Sequence, residues 1–254
     1  MYGLLSLNTI GHSINSMLSD TDLINKYKIK KSDVVVDIGG SMKQHTKINI
    51  DTLVDLIKPE EAPYSPTRLT AKNFVKCDVT RDNLPFKNKE FDFCLCTHTL
   101  EDLNHPFILL EEMSRISKRG YISTPSFGCD IVFSHINFTD WLSGARRVPG
   151  NAHHKWLFLN DNNTMVVIPK NFPLLYTSEF QAVGWKGEPE LEYYWEGKII
   201  YKEMKDVNFH KLIDLYRDFY KAHTKEIVKG RVLYFIDSPY YLLKENVKLL
   251  FKRK

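Results

Sequence analysis

Chemically active side chains recur in this chain directly after short apolar runs. Asp37, Asp78 and His98 each end or closely follow such a run. A histidine in this position can exchange a proton with a reactant, so His98 is a candidate general base for a hydroxyl or amine nucleophile. The alternative is a structural role, in which the His98 ring forms hydrogen bonds within its own loop. The sequence therefore points first to a site built at the ends of strands.

The apolar runs lack polar alternation, which predicts strands buried on both faces of a parallel sheet. The predicted strands are Val34–Ile38, Lys47–Ile50, Phe74–Cys77, Phe91–Cys96 and Tyr121–Ile122. Apolar residues at helical spacing from Leu109 to Ile116 predict a helix before the last strand, and Gly120 after two basic residues predicts its C-cap. The expected fold class is α/β, a Rossmann-like doubly wound and mostly parallel sheet, with ligands bound beyond the carboxyl ends of the strands.

Three regions follow from this pattern. Residues 1–32 are expected to form an N-terminal helical cap, 33–126 the α/β core, and 127–254 an elaboration rich in aromatic residues. Within the elaboration, Trp156–Ile168 predicts a β-hairpin with a turn of Asn and Asp residues. Residues 207–229 predict an amphipathic helix with Leu212, Leu215, Phe219 and Ala222 on one stripe.

Composition limits the function classes. A formal net charge of +4 in 254 residues is too weak an excess to indicate nucleic-acid binding. Four cysteines without a paired pattern argue against a disulfide framework, so we expect a reducing compartment and a cytoplasmic location. We expect neither a cleavable signal peptide nor a membrane-spanning segment. The basic, amphipathic tail at 242–254 can contact an anionic membrane peripherally, or it can pack on the domain as a helix with a frayed end.

The order of the motifs from Val34 to Pro125 resembles that of Rossmann-like (class I) methyltransferases, in particular the methyltransferase type 11-like group. The resemblance covers roughly residues 33–170. It rests on the Asp37–Gly40 loop, Leu84-Pro85-Phe86 and His98-Thr99-Leu100-Glu101. A narrower subset with unassigned substrates shares Lys118–Ser126 and the His153–Trp156 motif.

The resemblance implies S-adenosylmethionine (SAM) as cofactor and a small molecule or glycan as methyl acceptor. It implies that cofactor binding involves the first glycine loop, acidic residues after later strands, and the pocket at the end of the fourth strand: Asp37, Gly39, Gly40, Asp51, Asp78, Val79 and Thr97. Asp51 would accept hydrogen bonds from the ribose hydroxyls, since a carboxylate offers only acceptors to a diol. Asp78 would approach the adenine amino group, with Val79 on the ring, and His98 would lie beside the methyl group.

Two features depart from the family pattern. Ser41, Met42 and Lys43 stand where a third or fourth glycine is usual, and the interval from Asp37 to Asp51 is too short for a full crossover helix. The shortened loop motivates an alternative function, a catalytically inactive binding protein that kept the fold. A nucleotide-sugar or NAD enzyme is a third possibility, disfavoured because the Gly-x-Gly-x-x-Gly fingerprint is missing.

The elaboration is expected to form the acceptor side of the cleft. His153, His154 and Trp156 are candidate substrate contacts, facing His98 across that cleft. Because adjacent residues of a strand point to opposite faces, His153 and His154 are not expected to chelate a metal together, and we predict no metal site.

Overall fold

A computed structural model describes residues 18–63, 66–132, 151, 153–175, 180, 182–204 and 209–229. The described helices are α1 (Asp20–Tyr27), α2 (Pro106–Ile116), α3 (Phe127–Ile131), α4 (Phe172–Leu175) and α5 (Phe209–Ala222), with 3₁₀ turns at Pro59–Glu61 and Leu100–Asp102. The described strands are β1 (Val35–Ile38), β2 (Thr52–Asp55), β3 (Asn73–Lys76), β4 (Phe91–Thr97), β5 (Ser117–Pro125), β6 (Trp156–Asp161), β7 (Thr164–Pro169), β8 (Ala182–Trp185), β9 (Glu190–Glu196), β10 (Tyr201–Glu203) and β11 (Ile227–Lys229).

Six strands form the central sheet in the order β3-β2-β1-β4-β5-β9. Strands β1 to β5 are parallel to their neighbours, and β9 alone runs antiparallel, against β5. The predicted α/β fold with a mostly parallel sheet is confirmed. The strand order reverses between β1 and β4, and a crevice for ligands opens at such a switch point beyond the carboxyl ends.

Both faces of the sheet are covered, which explains the unbroken apolar runs. One face carries Val36, Ile38 and Cys96 and packs against α2. The other face carries Val35, Phe93, Leu95 and Tyr121, and packs against Leu23 of α1 and the irregular segment that contains Ile48 and Ile50. The side-chain alternation of the strands thus divides the core into two layers.

The predicted hairpin is confirmed as β6 and β7, and β10 joins β7 to make a three-stranded sheet. Its turn has two consecutive residues with positive φ, Asn162 at 50° and Asn163 at 63°, as a type I′ turn requires. Phe158 and Val167 of the hairpin share one apolar cluster with α2. The hairpin therefore extends the core on the α2 side.

The amphipathic helix predicted at 207–229 is confirmed as α5 over Phe209–Ala222, but the prediction was wrong at its end, where Ile227–Lys229 form strand β11. Leu212, Leu215 and Phe219 are buried, whereas Ala222 is exposed and ends the helix. The three buried residues form a separate apolar cluster with Phe127 and other residues of α3, α4 and the hairpin. The second half of the chain thus has a core of its own.

Gly120 was predicted wrongly as a helix C-cap. Helix α2 ends at Ile116, and Gly120 lies inside β5. A Cβ on Gly120 would lie 2.5 Å from the Cys94 carbonyl oxygen and 2.9 Å from the Trp195 ring. Close packing between β4 and β9, rather than a turn, requires glycine here.

The expected loss of the first crossover helix is confirmed, because the described residues between β1 and β2 contain no helix. The N-terminal cap is described only from residue 18, as α1, and the tail at 242–254 lies outside the described residues. Among the described helices, none has the length and apolar character needed to cross a bilayer.

Candidate active site at the carboxyl edge of the sheet

The loops after β1 and β4 touch at the switch point. The Gly39 amide donates to Val54 O at 2.8 Å, which ties the glycine loop to β2. The Thr99 hydroxyl donates to Thr97 O at 3.1 Å and lies 3.4 Å from Ile38 O. The glycine loop and the end of β4 are therefore one connected structure, and the predicted residues Gly39 and Thr97 are close together.

The two glycines are required by close packing inside this loop. Gly39 has φ of 79°, and a Cβ there would lie 2.1 Å from Thr99 Oγ1. A Cβ on Gly40 would lie 2.1 Å from Asp37 Oδ2. The backbone thus passes directly over the Asp37 carboxylate and the Thr99 side chain, and only glycine fits at these two positions.

Asp37 is a buried carboxylate at the end of β1. It is 1% exposed, and its Oδ1 has no hydrogen-bond partner among the described residues. The pKa of Asp37 is raised to about 6, chiefly by burial, with the charges of Asp55 and Asp20 adding to the rise and the nearby His45 opposing it. An orphaned acceptor directly beneath the glycine loop fits a site that receives a polar ligand.

The assignment of Asp51 is wrong in its structural premise. Residues 47–50 are not a strand, and Asp51 precedes β2 instead of following it. Its Oδ2 accepts from the Val35 amide at 2.9 Å and its Oδ1 pairs with Lys72 at 2.5 Å. Val35 begins β1 and Gly39 follows its end, so Asp51 lies about 13 Å from the glycine loop, at roughly 3.3 Å per strand residue. Through these contacts, Asp51 stabilises the edge of the sheet at the amino ends of the strands.

Asp55 occupies the position that was assigned to Asp51. It ends β2, and its Oδ2 accepts from the Ser41 amide at 3.0 Å while its Oδ1 accepts from the Leu56 amide. Each carboxylate oxygen has two lone pairs, so both retain capacity to accept from a vicinal diol. The sequence signal was present: Leu53-Val54-Asp55 repeats the apolar-run-then-acid pattern of Val35-Val36-Asp37.

Asp78 and Val79 follow β3 at the same edge. The Asp78 carboxylate accepts from the Thr80 amide at 3.0 Å and the Thr80 hydroxyl at 2.6 Å, and these hydrogen bonds lower the pKa of Asp78. Val79 is 8% exposed and belongs to the apolar cluster on the α2 face. Their positions fit an adenine contact, with only a small part of Val79 open to a ring.

His98 lies between two carboxylates in a left-handed backbone conformation, φ 49°. Its Nδ1 is 3.3 Å from Glu101 Oε1, and its Nε2 is 3.2 Å from Glu190 Oε1. Glu190 Oε2 accepts from the Ser123 hydroxyl at 2.6 Å. Both edges of the imidazole are therefore held by acids.

The hydrogen bonds to Glu101 and then Glu190 outweigh burial and raise the pKa of His98 to about 9. This raised pKa favours the protonated ring at neutral pH, and a protonated ring has no free lone pair with which to accept a proton. The general-base role of His98 stays a prediction that this raised pKa does not favour, and the alternative of a histidine held within its own loop agrees with the Glu101 contact. Sequence reasoning missed Glu190, because it comes from β9, more than ninety positions away.

The segment at His153–Trp156 packs on the turn that follows His98. The Lys155 amide donates to Glu101 O at 2.7 Å, and Trp156 Nε1 donates to Leu103 O at 2.9 Å. His98 and this segment are thus linked through one turn rather than facing each other across open space. Trp156 also packs edge-to-face on Phe107 at 5.4 Å between ring centroids, which makes it a tether between the two segments.

The prediction that His153 and His154 point to opposite faces is wrong. The two residues lie in an irregular segment before β6, and their ring centroids are 4.6 Å apart. His154 is buried with Nδ1 3.0 Å from Asp130 Oδ1, and His153 is exposed. His154 thus contacts a buried carboxylate while His153 lies in solvent, although both rings approach Asp102.

The carboxyl edge is acidic. Asp37, Asp55, Glu101 and Glu190 outnumber the described cations that act on them, which are His98, His45 and Lys43. Burial opposes the shift, but hydrogen bonds from His98 and Ser123 lower the pKa of Glu190. Such an edge favours a cationic ligand. SAM carries a sulfonium cation and a ribose diol that donates hydrogen bonds, so these carboxylate acceptors fit it.

The sheet order, with its switch point between β1 and β4, and the glycine loop define a class I methyltransferase-like fold. The family model described as "Methyltransferase domain" matches residues 40–123, about a third of the 254-residue chain. SAM is the cofactor implied by this domain, and the match supports methyl transfer in general. No curated protein sequence matches this chain.

Solved structures give weaker similarities. A SAM-dependent methyltransferase from Aquifex aeolicus is 18% identical, with a TM-score of 0.31 over 42% of this chain and 64% of that one. A SAM-dependent methyltransferase from Methanosarcina mazei is 20% identical, with a TM-score of 0.32 over 42% of this chain and 58% of that one. This chain thus spans less than two thirds of the length of either structure.

Proposed function

We propose that the protein is a SAM-dependent methyltransferase acting on a small-molecule or glycan acceptor. The observation that carries the proposal is the meeting, at one switch point, of the Gly39–Gly40 loop with the end of β4, beside an acid at the end of β2. The residues proposed to hold the cofactor are Asp37, Gly39, Gly40, Asp55, Asp78, Val79 and Thr97.

SAM, when bound, supplies an electrophilic methyl group on a sulfonium. The chain's own residues then have to align the acceptor and exclude water, which is most of what methyl transfer requires. His98 is proposed to position the acceptor through its charged ring, with Glu101 and Glu190 fixing that ring. Because His98 holds its proton, the acceptor best suited to this site is one that needs no strong base, such as a neutral amine or a carboxylate on the small molecule or glycan.

Residues 127–200 are proposed to form the acceptor side. Their support is twofold: β9 delivers Glu190 to His98, and Lys155 and Trp156 pack on the turn after β4. His153, His154 and Trp156 then lie near the acceptor, with Trp156 acting as a tether. A cytoplasmic location is proposed from the cysteines at 77, 94, 96 and 129, all of which are free thiols.

A non-catalytic protein of the same fold is the second candidate. Its support is the first crossover, which has no helix in the described structure and holds Ser41 where glycine is usual. Retained binding without turnover would distinguish this candidate from the first.

The test measures the melting temperature of the purified protein with SAM, S-adenosylhomocysteine or NAD. We expect stabilisation by the first two and none by NAD, since a ligand that binds only the folded state raises its apparent stability. Stabilisation by NAD alone would overturn the proposal. Stabilisation by SAM with no labelled methyl transfer to any fraction of a cell extract would favour the non-catalytic candidate.

A further inference from the structure

Three potential ligand atoms converge beside the turn after β4. Asp102 Oδ1 is 3.7 Å from His153 Nε2 and 3.9 Å from His154 Nε2, and the three atoms lie within 4.8 Å of one another. Asp102 ends the 3₁₀ turn, and the histidines come from a segment about fifty positions later. Lys155 holds the two segments together through its amide to Glu101 O and its Nζ to Asp102 O at 2.8 Å.

A buried acid orients one of the histidines. His154 Nδ1 is 3.0 Å from Asp130 Oδ1, and Asp130 in α3 is 3% exposed. When Nδ1 donates its proton to this carboxylate, Nε2 carries the lone pair and points toward Asp102. A carboxylate behind the far nitrogen of a histidine is the outer shell that metal-ligating histidines usually have. Lys170 Nζ also contacts Asp130 Oδ1 at 2.9 Å and balances its charge.

Asn151 supports this tautomer. Its Nδ2 lies 3.2 Å from His154 Nε2, a distance at which the amide donates to the nitrogen lone pair. A rotation of the amide by half a turn would put its oxygen in that place and offer a further ligand atom. Asn151 can therefore donate its amide to Nε2 when no ion is bound, or turn its oxygen toward an ion that is.

The remaining observation is an orphaned oxygen. Asp102 Oδ1 is shielded from solvent and has no hydrogen-bond partner among the described residues. A shielded carboxylate oxygen is unfavourable without a hydrogen-bond donor or a cation beside it. The Asp102 side chain as a whole is 43% exposed and His153 is 67% exposed, so an ion can enter from solvent.

We propose that Asp102, His153 and His154 bind one divalent transition-metal ion of the zinc class. Two imidazole nitrogens and one carboxylate oxygen suit such an ion, and three protein ligands leave a fourth position for water. Bonds of about 2.0–2.2 Å in a tetrahedral arrangement bring ligand atoms to about 3.3–3.6 Å from one another, so the site closes slightly on binding. The exposed His153 side chain can supply most of that movement. The site lies outside the proposed cofactor residues and does not depend on methyl transfer.

The experiment titrates chelator-treated full-length protein with zinc chloride in a calorimeter and records the visible spectrum with cobalt(II). We expect one equivalent to bind, a cobalt spectrum of nitrogen and oxygen ligands, and a rise in melting temperature because the ion joins two segments distant in sequence. His153→Ala and Asp102→Asn should each weaken zinc binding at least tenfold. His153 is exposed, so its loss is not expected to unfold the chain.

His105→Ala is the matched control, since His105 is an exposed histidine three positions from Asp102. Its zinc affinity should equal that of the unmodified protein. The proposal fails if the unmodified protein binds no zinc, or if His153→Ala and Asp102→Asn bind zinc as tightly as the control does.

Discussion

The two halves of the sheet are covered by different means. Beyond β1 and β2, the chain forms irregular loops with a single 3₁₀ turn, and polar side-chain contacts join these loops. The Gln44 amide joins two of these loops through contacts with Thr67, Arg68 and both the amide and hydroxyl of Thr70 at 2.8–2.9 Å. Beyond β4 and β5, helix α2 and the hairpin form an apolar layer. The proposed cofactor half is thus held by polar side-chain contacts, and the acceptor half by burial.

We therefore expect the order of the loops and the stability of the whole domain to depend on different residues. A loop fixed by hydrogen bonds can loosen without unfolding the domain, because each such bond contributes only about 0.5–1.5 kcal/mol net. An apolar layer fails as a unit, because each large side chain there contributes several kcal/mol. Ligand binding should therefore be sensitive to the polar loops, and the unfolding free energy to α2.

The largest expected effect is at Gly39. Gly39→Ala introduces a Cβ that collides with Thr99 at a positive φ, so we expect the unfolding free energy to fall by about 3 kcal/mol and SAM-induced stabilisation to disappear. Gly197→Ala is the control: φ is 73° there, but no atom lies within 4 Å of the added Cβ. It should cost only about 1 kcal/mol of backbone strain. Equal losses for the two variants in urea denaturation would show that the Thr99 contact is unimportant.

The comparison itself is tested by Leu110→Ala and Gln44→Ala. Leu110 is fully buried in the α2 layer, so its truncation should cost about 3 kcal/mol of unfolding free energy while folded protein binds SAM normally. Gln44→Ala should cost about 1 kcal/mol and weaken SAM binding more than Leu110→Ala does, because it releases the loop beside Ser41. Denaturation and calorimetry on both proteins measure the two quantities. If Leu110→Ala weakened SAM binding more than Gln44→Ala did, the polar loops and the α2 layer would not differ in this way.

Asp55 and Asp51 form a matched pair of acids at opposite ends of β2. Asp55→Asn should weaken SAM binding at least tenfold, which is about 1.4 kcal/mol. Asp51→Asn should leave SAM affinity unchanged while lowering stability slightly, since it supports Val35 and Lys72. If Asp51→Asn lost SAM affinity and Asp55→Asn did not, Asp51 would again be the ribose-binding candidate. Calorimetric titration of both variants decides.

The last prediction is the pH dependence of stability that His98 causes. Its pKa rises from 6.5 to about 9 on folding, so its ion pairs stabilise the fold fully below pH 6.5 and that contribution is lost as pH rises through about 9. His98→Gln should lack this loss, so the stability difference between the two proteins should narrow between pH 6.5 and 10. An NMR titration of the imidazole gives an independent reading. A midpoint near 6.5 would mean that Glu101 and Glu190 do not hold the ring in solution.

The sequence predicted β1, β3, β4, the hairpin and α5 because each has a strong local pattern. The predictions were wrong where contacts between residues distant in sequence determine the structure. Gly120 follows two basic residues as a cap would, yet its lack of a side chain is required by Trp195, far along the chain. Ile48 and Ile50 are buried at strand-like spacing, but they pack beside α1 without pairing in the sheet, and this shifted the ribose-binding assignment from Asp55 to Asp51.

Most of the candidate site residues lie at the predicted edge of the sheet for the same reason, and their role in cofactor binding stays a prediction. Asp37, Gly39, Gly40, Asp78 and Thr97 are local to strand ends and lie at the expected edge. The chemistry of His98 could not be predicted, because its protonation depends on Glu190 from β9. The convergence of His153 and His154 depends on an irregular segment where the spacing suggested a strand.

Strand β9 has a consequence for how the chain is made. Tyr121 of β5 pairs with Tyr194 of β9, about 70 residues later, so β5 emerges from the ribosome long before its second neighbour exists. Until then the nascent sheet presents an open, apolar edge that can pair with another chain. The long loop that must close before β9 docks makes this a late step. A ribosome-stalled fragment ending before residue 190 should therefore engage chaperones, whereas one that includes β9 should release them.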